Sequence, residues 1–301
     1  MGERVRFDSG HKRNAYINSV LAHYFEFTSY CPEVEIGLGT PRAPLRLVTI
    51  NDEVRCVGVK DPRLDVTEKL YQSADQKKAW HEQVSGYILK KDSPSCGMER
   101  VRLYKGDLPE RKGTGLYAER LMQNFPALPV EEEGRLEDPV LRENFIQRVY
   151  IYWRWQNLMN QQVSLKSLNL FHAQHKYIYM SHSPLLARKL GKWLAENYKS
   201  DIPTLTRQYL PKAMTLLKQT ATRKSHANTL QHIQGYLKTS LSADDKLALT
   251  VNINQYREGL LPLIVPITLL RHHFRHHPDN YISDSYYLQP HPAELTLLNS
   301  L

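Results

Sequence analysis

The stretch Lys90-Lys91-Asp92-Ser93-Pro94-Ser95-Cys96-Gly97 follows a short apolar run, Gly86-Tyr87-Ile88-Leu89, that is typical of a buried strand. A strand that ends in Ser-Pro-Ser-Cys-Gly places a thiol on a tight turn at the end of a sheet, where ligands bind in α/β folds. Cys31 has a similar setting, since residues 25–30 resemble a strand and Cys31 opens the loop that ends at Gly39. The pattern predicts that the two cysteines meet in space.

Charge is divided unevenly along the 301 residues. Residues 1–150 hold 23 Lys and Arg and 23 Asp and Glu, whereas residues 151–301 hold 17 and 8, so the formal net charge of +9 lies in the second half. Such asymmetry indicates a basic surface for an anionic partner such as nucleic acid, or a solvated Lys-rich helical surface.

Three cysteines do not make a disulfide framework, and no leader-like segment opens the chain. No window approaches ~18 uninterrupted apolar residues, so no membrane span is expected. The best candidate, residues 259–270, is short and contains Pro262 and Pro266. A reducing cytoplasm is the expected compartment, because thiols stay free there.

Strand and helix signals alternate up to about residue 158 and are helical beyond it. The pair Asn51-Asp52 predicts a hairpin between residues 45–50 and 53–59. Helices are predicted over residues 15–24 and 65–83, from Gly115 to residue 125, and at 139–160, 164–198 with a break at Ser183-Pro184, 203–220, 222–240, 242–257 and 262–276. The expected architecture is an α/β domain over residues 1–158 and an all-α domain over 159–301.

Four motifs of the first domain resemble the thiouracil desulfurase family. They are residues 5–13 (VRFDSGHKR), residues 31–39 (CPEVEIGLG), residues 87–90 with 93–97 (YILK and SPSCG), and residues 129–136 (PVEEEGRL). They occur in the family's order and cover about residues 1–150. The resemblance implies a Rossmann-like three-layer sheet, which here lacks its first strand.

The second domain resembles the YbgA-like domain of unknown role that often follows the first. The matching residues are Phe171-His172 with His175-Lys176, residues 221–224, residues 226–236, residues 263–266 with 269–272, and Pro290-His291-Pro292.

The first resemblance implies a [4Fe-4S] cluster held by three cysteines, with an open iron that takes the sulfur of a thiocarbonyl substrate such as 2-thiouracil. Thiolates are soft ligands that suit such clusters. The positions carried over are Cys31 and Cys96 as metal ligands, with Glu33 and Ser93 as the catalytic acid/base and polar groups. Ser95 and the basic loop His11, Lys12 and Arg13 are substrate-binding candidates, and Glu35 ranks lower.

The chain departs from the family at its first cysteine. The family places that residue in a Ser-x-Cys-Leu-Leu-Gly run, whereas this sequence begins at Met1-Gly2-Glu3-Arg4. Cys56 does not replace it by pattern, because it lies inside a strand-like run and is expected in the core. Either the start lies further upstream or the cluster has been lost, and we expect the former because a missing strand leaves an open sheet edge.

Other polar clusters have structural alternatives. His172, His175 and His182 share a helix face, and packed or hydrogen-bonded histidines are favoured over a metal site. Residues Glu131–Glu133 are expected in a solvated loop. The helix from Thr222 contains no acidic residue, and Arg223, Lys224, His226 and Asn228 are candidates for nucleic-acid contact, with a polar helix packed against the first domain as the alternative.

Two functions are therefore expected in competition. One is iron–sulfur-dependent desulfuration of a thiolated pyrimidine base or nucleoside, with the helical domain covering the site or recruiting a larger substrate such as tRNA. The other is a non-catalytic nucleic-acid-binding protein that acts through the basic helical domain.

Overall fold

The computed structural model describes residues 2–106, 108–292 and 295. The chain forms two compact units, Met1–Glu137 and Asp138–Leu301. This division lies earlier than the predicted boundary at residues 158 and 159. The difference is one long helix, α6 (Pro139–Met159), which belongs to the second unit.

The first unit alternates short helices and strands. Its elements are α1 (Ala15–Ser19), α2 (Pro32–Glu35), β1 (Leu45–Ile50), β2 (Glu53–Gly58), α3 (Thr67–Gln76), α4 (Lys78–His81), β3 (Tyr87–Leu89), β4 (Val101–Lys105), β5 (Leu108–Gly113), α5 (Leu116–Asn124) and β6 (Val130–Glu132), with 3-10 helices at Leu21–His23 and Arg135–Glu137.

The described strands form two sheets rather than the single predicted sheet. One has the order β2-β1-β4-β5, and the other pairs β3 with β6 in parallel. The β1–β2 hairpin turns at Asn51 and Asp52, both with positive φ, which is the conformation of the two-residue turns that match strand twist. The parallel contact between β1 and β4 makes the larger sheet mixed.

The strand predicted before Cys31 is wrong. Residues 25–30 follow the 3-10 helix in irregular conformation, and the Phe25 amide donates to the Leu21 carbonyl. A strand requires a neighbour to complete its hydrogen bonds. In the described part of the chain no strand lies beside this segment.

The second unit is helical. After α6 come α7 (Leu165–His182), α8 (Pro184–Glu196), α9 (Ile202–Leu217), α10 (Arg223–Gln234), α11 (Ala243–Glu258), α12 (Ile264–His276) and α13 (Asn280–Ser283), with 3-10 helices at Gly235–Leu237 and Tyr286–Leu288. The combination of an α/β unit with an all-α unit is confirmed.

Side-chain caps determine where these helices begin. Asp138 accepts from the Val140 and Leu141 amides, and Ser183 caps α8 at the predicted Ser-Pro break. Such caps satisfy amides that the first helical turn leaves without partners. Within the described residues, no helix is long and apolar enough to span a bilayer.

Candidate functional site

Cys31 lies at the N-cap of the short helix α2 and is half-buried. Its sulfur is 3.9 Å from Nη2 of Arg42 and 3.9 Å from the Val5 carbonyl oxygen. After α2 the chain turns through Gly37 and Gly39, both with positive φ, a backbone conformation that favours glycine. These turns bring Arg42 back beside the cysteine.

Cys96 lies on the turn after β3, and this turn contacts the first residues of α5. The Ser93 hydroxyl oxygen accepts from the amides of Ser95 and Cys96 at 3.3 and 3.1 Å. The Ser95 carbonyl in turn accepts the Ala118 amide in the first turn of α5. This turn therefore both holds the thiol and caps a helix.

Gly115 permits the cysteine turn to lie close to the start of α5. A Cβ at this position would lie 2.5 Å from the Ser95 carbonyl carbon and 2.6 Å from the Cys96 amide nitrogen. Its own amide donates to the Gly97 carbonyl at 2.8 Å. No other residue type fits here without moving the cysteine turn.

Glu33 links the two cysteine loops. One carboxylate oxygen accepts from the Ser95 hydroxyl at 2.6 Å, and the other accepts from Nε of Arg42 at 2.7 Å. The Ser95 oxygen is 3.5 Å from the Cys96 sulfur. Arg42, Glu33 and Ser95 therefore form a continuous path of contacts from one thiol to the other, across 65 residues of sequence (96 − 31).

The hydroxyl hydrogens of this network have one consistent order. Ser95 has a single hydrogen and donates it to the Glu33 carboxylate, the stronger acceptor. Ser93, whose oxygen is 3.0 Å from that of Ser95, then donates to Ser95. Both serines therefore support the negative charge of Glu33.

The charge of one thiol also affects the pKa of the other. Burial raises the pKa of the Cys96 thiol, and the charges of Glu33 and Cys31 add to this rise. An unassisted thiolate at Cys96 is therefore disfavoured, whereas a bound cation or metal favours the deprotonated sulfur.

Cys56 lies in the core, as its strand pattern predicts. It is fully buried in β2, its amide donates to the Thr67 hydroxyl, and burial raises the pKa of its thiol. Throughout residues 2–106, 108–292 and 295, no three His, Cys, Asp or Glu side chains are grouped as a metal site requires. The two cysteine loops thus bring two thiols, Cys31 and Cys96, to the site.

The predicted substrate residues His11, Lys12 and Arg13 are exposed. The pKa of Lys90 is lowered to about 8, mainly by burial. The positive charge of nearby Lys12 lowers it further. Glu35 pairs with Lys77 at 2.8 Å and takes no described part in the thiol network.

The solvated loop predicted at Glu131–Glu133 is wrong, because all three carboxylates are buried. Glu131 pairs with Arg135, Glu132 accepts from the Met98 amide, and Glu133 pairs with Lys90. The sequence contained no signal for these partners, and the same is true of the contacts of Arg42.

Most histidines of the shared face on α7 are packed and hydrogen-bonded, as predicted. His172 and His175 bond to the Tyr209 hydroxyl and the Phe171 carbonyl through Nδ1, at 3.0 and 2.7 Å. His182 lies between the Gln219 carbonyl and the Gln147 side chain.

The nucleic-acid candidates on α10 divide into two groups. Arg223 and Lys224 are exposed at its first turn, and Asn228 is half-buried. His226 is only 8% exposed and its Nδ1 is 2.8 Å from the Tyr287 hydroxyl, so it faces the interior. The exposed part of the predicted set is therefore the two basic residues.

A cavity of about 240 Å³ lies beneath the start of α10. Its polar lining includes Glu143, Gln147, His182, Arg223, His226 and Tyr256. Burial raises the pKa of Glu143 to about 8 and lowers those of His182 and His226 to about 4 and about 3. These three groups are therefore mostly uncharged at neutral pH.

Comparison with known proteins finds a family match in each part of the chain. Residues 1–133 match the family of 2-thiouracil desulfurase, and residues 176–292 match a family described as protein of unknown function (DUF1722). Both resemblances are confirmed.

Three individual proteins are each similar to less than half of this chain. Uncharacterized protein YbgA of Escherichia coli (strain K12) is 28% identical over 131 residues, 43% of this chain and 78% of its own length. Uncharacterized protein YbbK of Bacillus subtilis (strain 168) is 26% identical over 145 residues, 46% of this chain and 93% of its own. A solved [4Fe-4S]-dependent thiouracil desulfidase, TudS, is 26% identical and covers 46% of this chain and 87% of its own, with a TM-score of 0.36. The cysteine network lies within the 2-thiouracil desulfurase match.

Proposed function

We propose that the N-terminal unit removes sulfur from a thiolated pyrimidine base or nucleoside. The observation that carries this proposal is the path from Cys31 through Arg42, Glu33 and Ser95 to Cys96. It combines two soft sulfur ligands with a buried carboxylate, within the part of the chain that matches 2-thiouracil desulfurase.

The reaction is a hydrolysis that needs no redox partner. The oxygen of water bonds to the ring carbon, the carbon–sulfur bond breaks, and both protons of the water leave with the sulfur as hydrogen sulfide. Glu33 accepts a proton from the water and transfers it toward the departing sulfur. Arg42 and Ser95 orient its two oxygens, and Ser93 supports Ser95.

A [4Fe-4S] cluster suits the donor atoms but not their number. Thiolates favour such clusters, and Cys31 and Cys96 would hold it. When bound, an iron without a protein ligand supplies a Lewis-acid position for sulfur. The third ligand is not among the described residues, and buried Cys56 does not fit that position.

The test is anaerobic reconstitution with iron and sulfide, with an added small thiol to occupy the third position. We expect iron–sulfur charge-transfer absorbance and release of hydrogen sulfide from 2-thiouracil or 4-thiouridine. Cys31→Ser and Cys96→Ser should each lose both signals, and Cys56→Ser is the matched control that should keep them. Equal behaviour of the three variants would contradict the proposal.

Nucleic-acid binding by the second unit remains a second candidate. Exposed Arg223 and Lys224 and the absence of acidic residues over 223–234 favour it. Binding of a tRNA should weaken as salt rises, and Arg223→Gln with Lys224→Gln should reduce the salt slope by about 2. Binding that is insensitive to salt would remove this candidate. Cytoplasmic location stays a prediction.

A further inference from the structure

Three polar rings, of which two are fully buried and one is half-buried, form a hydrogen-bonded row in the first unit. Nε2 of His81 is 2.7 Å from the Tyr117 hydroxyl, and Tyr117 is hydrogen-bonded to Tyr87. His81 and Tyr117 are both fully buried. None of these residues has a role in the reaction as proposed so far.

The direction of the row follows from the other nitrogen of His81. Nδ1 is buried without a hydrogen-bond partner. Burial lowers the pKa of His81 to about 4, so the ring is neutral and carries one N–H. A buried N–H without an acceptor is rarer than a buried acceptor without a donor, so the hydrogen belongs on Nε2.

The position of the hydrogen on Nε2 then determines the donor and the acceptor of each further hydrogen bond. His81 donates through Nε2 to the Tyr117 oxygen, and Tyr117 donates its own hydrogen to the Tyr87 oxygen. The Tyr87 hydrogen is left over at the end of the row. Consecutive hydrogen bonds polarise one another, so this terminal hydroxyl is a stronger donor than an isolated phenol.

Tyr87 is near the two segments that carry the thiols. It begins β3, the strand that leads directly to the Cys96 turn. Its ring centroid is 6.5 Å from that of Tyr117, which is 5.4 Å from that of Tyr30, the residue directly before Cys31. The spare hydrogen is therefore available at the place where sulfur is handled.

We propose that the Tyr87 hydroxyl donates a hydrogen bond to the sulfur of the bound thiolated substrate, and that Tyr117 and His81 are positioning residues that orient this hydroxyl. This inference rests on the proposed function. As the carbon–sulfur bond breaks, negative charge develops on sulfur. A donor that is already oriented toward that charge stabilises the transition state more than the ground state.

Steady-state kinetics of the reconstituted full chain tests the donor. Tyr87→Phe should lower kcat by about 100-fold with little change in KM, as loss of one oriented donor does. Tyr117→Phe should lower kcat by about 10-fold, the smaller effect of an indirect partner. His81→Phe should resemble Tyr117→Phe, whereas His81→Gln retains an N–H donor and should recover part of the rate.

Tyr30→Phe is the matched control. Tyr30 packs against Tyr117 with ring centroids 5.4 Å apart, but its hydroxyl bonds to Ser73 at 2.7 Å and takes no part in the row. We expect this variant to keep a rate near that of the wild type. Equal losses in Tyr87→Phe and Tyr30→Phe would overturn the inference, because they would reflect disturbed packing.

A second measurement does not depend on turnover. Nitrogen-15 NMR of the histidine rings, with His81 assigned by the signal missing from His81→Gln, reports which nitrogen carries the hydrogen. A hydrogen on Nε2 supports the direction of the row, and a hydrogen on Nδ1 overturns it. If the wild type releases no sulfide from either substrate, the proposed function fails, and this experiment still decides the direction.

Discussion

The cysteine site of the first unit and the buried histidines of the second unit differ in charge. The first holds a charged pair between its cysteine loops, in which the side chains of Glu33 and Arg42 are 11% and 7% exposed. The second buries histidines that stay neutral, including His175, His182 and His226, whose pKa values burial lowers to about 3–4. A buried charge is expensive to maintain, so its presence beside two thiols points to chemistry, whereas neutral histidines bonded to carbonyls and hydroxyls stabilise packing.

The largest effect that sharpens this comparison is expected from Arg42→Ala. Removal of the guanidinium leaves the Glu33 carboxylate buried beside Ser95 without its cationic partner. Loss of one member of a buried ion pair costs about 3–5 kcal/mol of unfolding free energy. Urea unfolding of the full chain, followed by circular dichroism, measures it.

The double variant Arg42→Ala with Glu33→Gln is the control for this prediction. It removes the unpaired charge, so most of the lost stability should return while desulfuration stays abolished. If Arg42→Ala alone were as stable as the wild type, the pair would not be a buried charge in solution, and the contrast between the units would disappear.

A second prediction concerns the glycine that lets the Cys96 turn approach α5. Gly115→Ala places a methyl group 2.5 Å from the Ser95 carbonyl carbon, which the backbone cannot avoid without moving. We expect a loss of up to about 3 kcal/mol of unfolding free energy, the upper range for overpacking. Differential scanning calorimetry measures it.

Gly106→Ala is a suitable comparison, since nothing lies within 4 Å of the added methyl group there, although its positive φ adds some strain. A smaller loss at Gly106 than at Gly115 would assign the effect to the cysteine turn. Equal losses would mean that the turn can shift freely.

Local signals in the sequence account for much of the fold. Asn51-Asp52 predicted the hairpin because both residues tolerate positive φ, and Asp138 and Ser183 predicted helix starts because their side chains accept free amides. The predicted strand before Cys31 failed because pairing depends on a neighbour that local pattern does not reveal.

The site was predictable to a similar degree. The cysteine motifs pointed to Cys31, Glu33, Ser95 and Cys96, which the fold connects. Arg42 was not recognised, because its role depends on a contact that exists only after residues 37–42 turn back toward Cys31. Long-range charge pairs of this kind leave no periodic signal in a sequence.

A third prediction tests the neutral histidines of the second unit through pH. A folded His226 with a pKa of about 3 binds fewer protons than the unfolded residue at 6.5. Its contribution to stability is therefore complete above pH 6.5 and decreases as pH falls toward 3. Between pH 6.5 and 5 this amounts to about 2 kcal/mol for one such histidine.

Tryptophan fluorescence during urea unfolding follows this change, because Trp153, Trp155 and Trp193 lie in the second unit. The difference in unfolding free energy between pH 6.5 and 5 should be about 2 kcal/mol smaller in His226→Gln than in the wild type. Replacement of the more exposed His232 should leave the difference unchanged. An unchanged difference in His226→Gln would show that this histidine is protonated when folded.

The smallest expected effect comes from Glu143, whose contribution to stability changes with pH in the opposite direction to that of the histidines. Burial raises its pKa to about 8, so the folded unit retains a proton that the unfolded chain releases above about 4.5. Its stabilising contribution is complete below pH 4.5 and is lost as pH rises toward 8. Between pH 6.5 and 7.5 this contribution falls by about 1 kcal/mol, while that of the buried histidines rises, so the comparison of the wild type with Glu143→Gln isolates it. Glu143→Gln should abolish this fall, whereas replacement of the exposed Glu196 on α8 by Gln should retain it. A fall that persists in Glu143→Gln would show that another group causes it, and that Glu143 does not retain its proton in the folded unit.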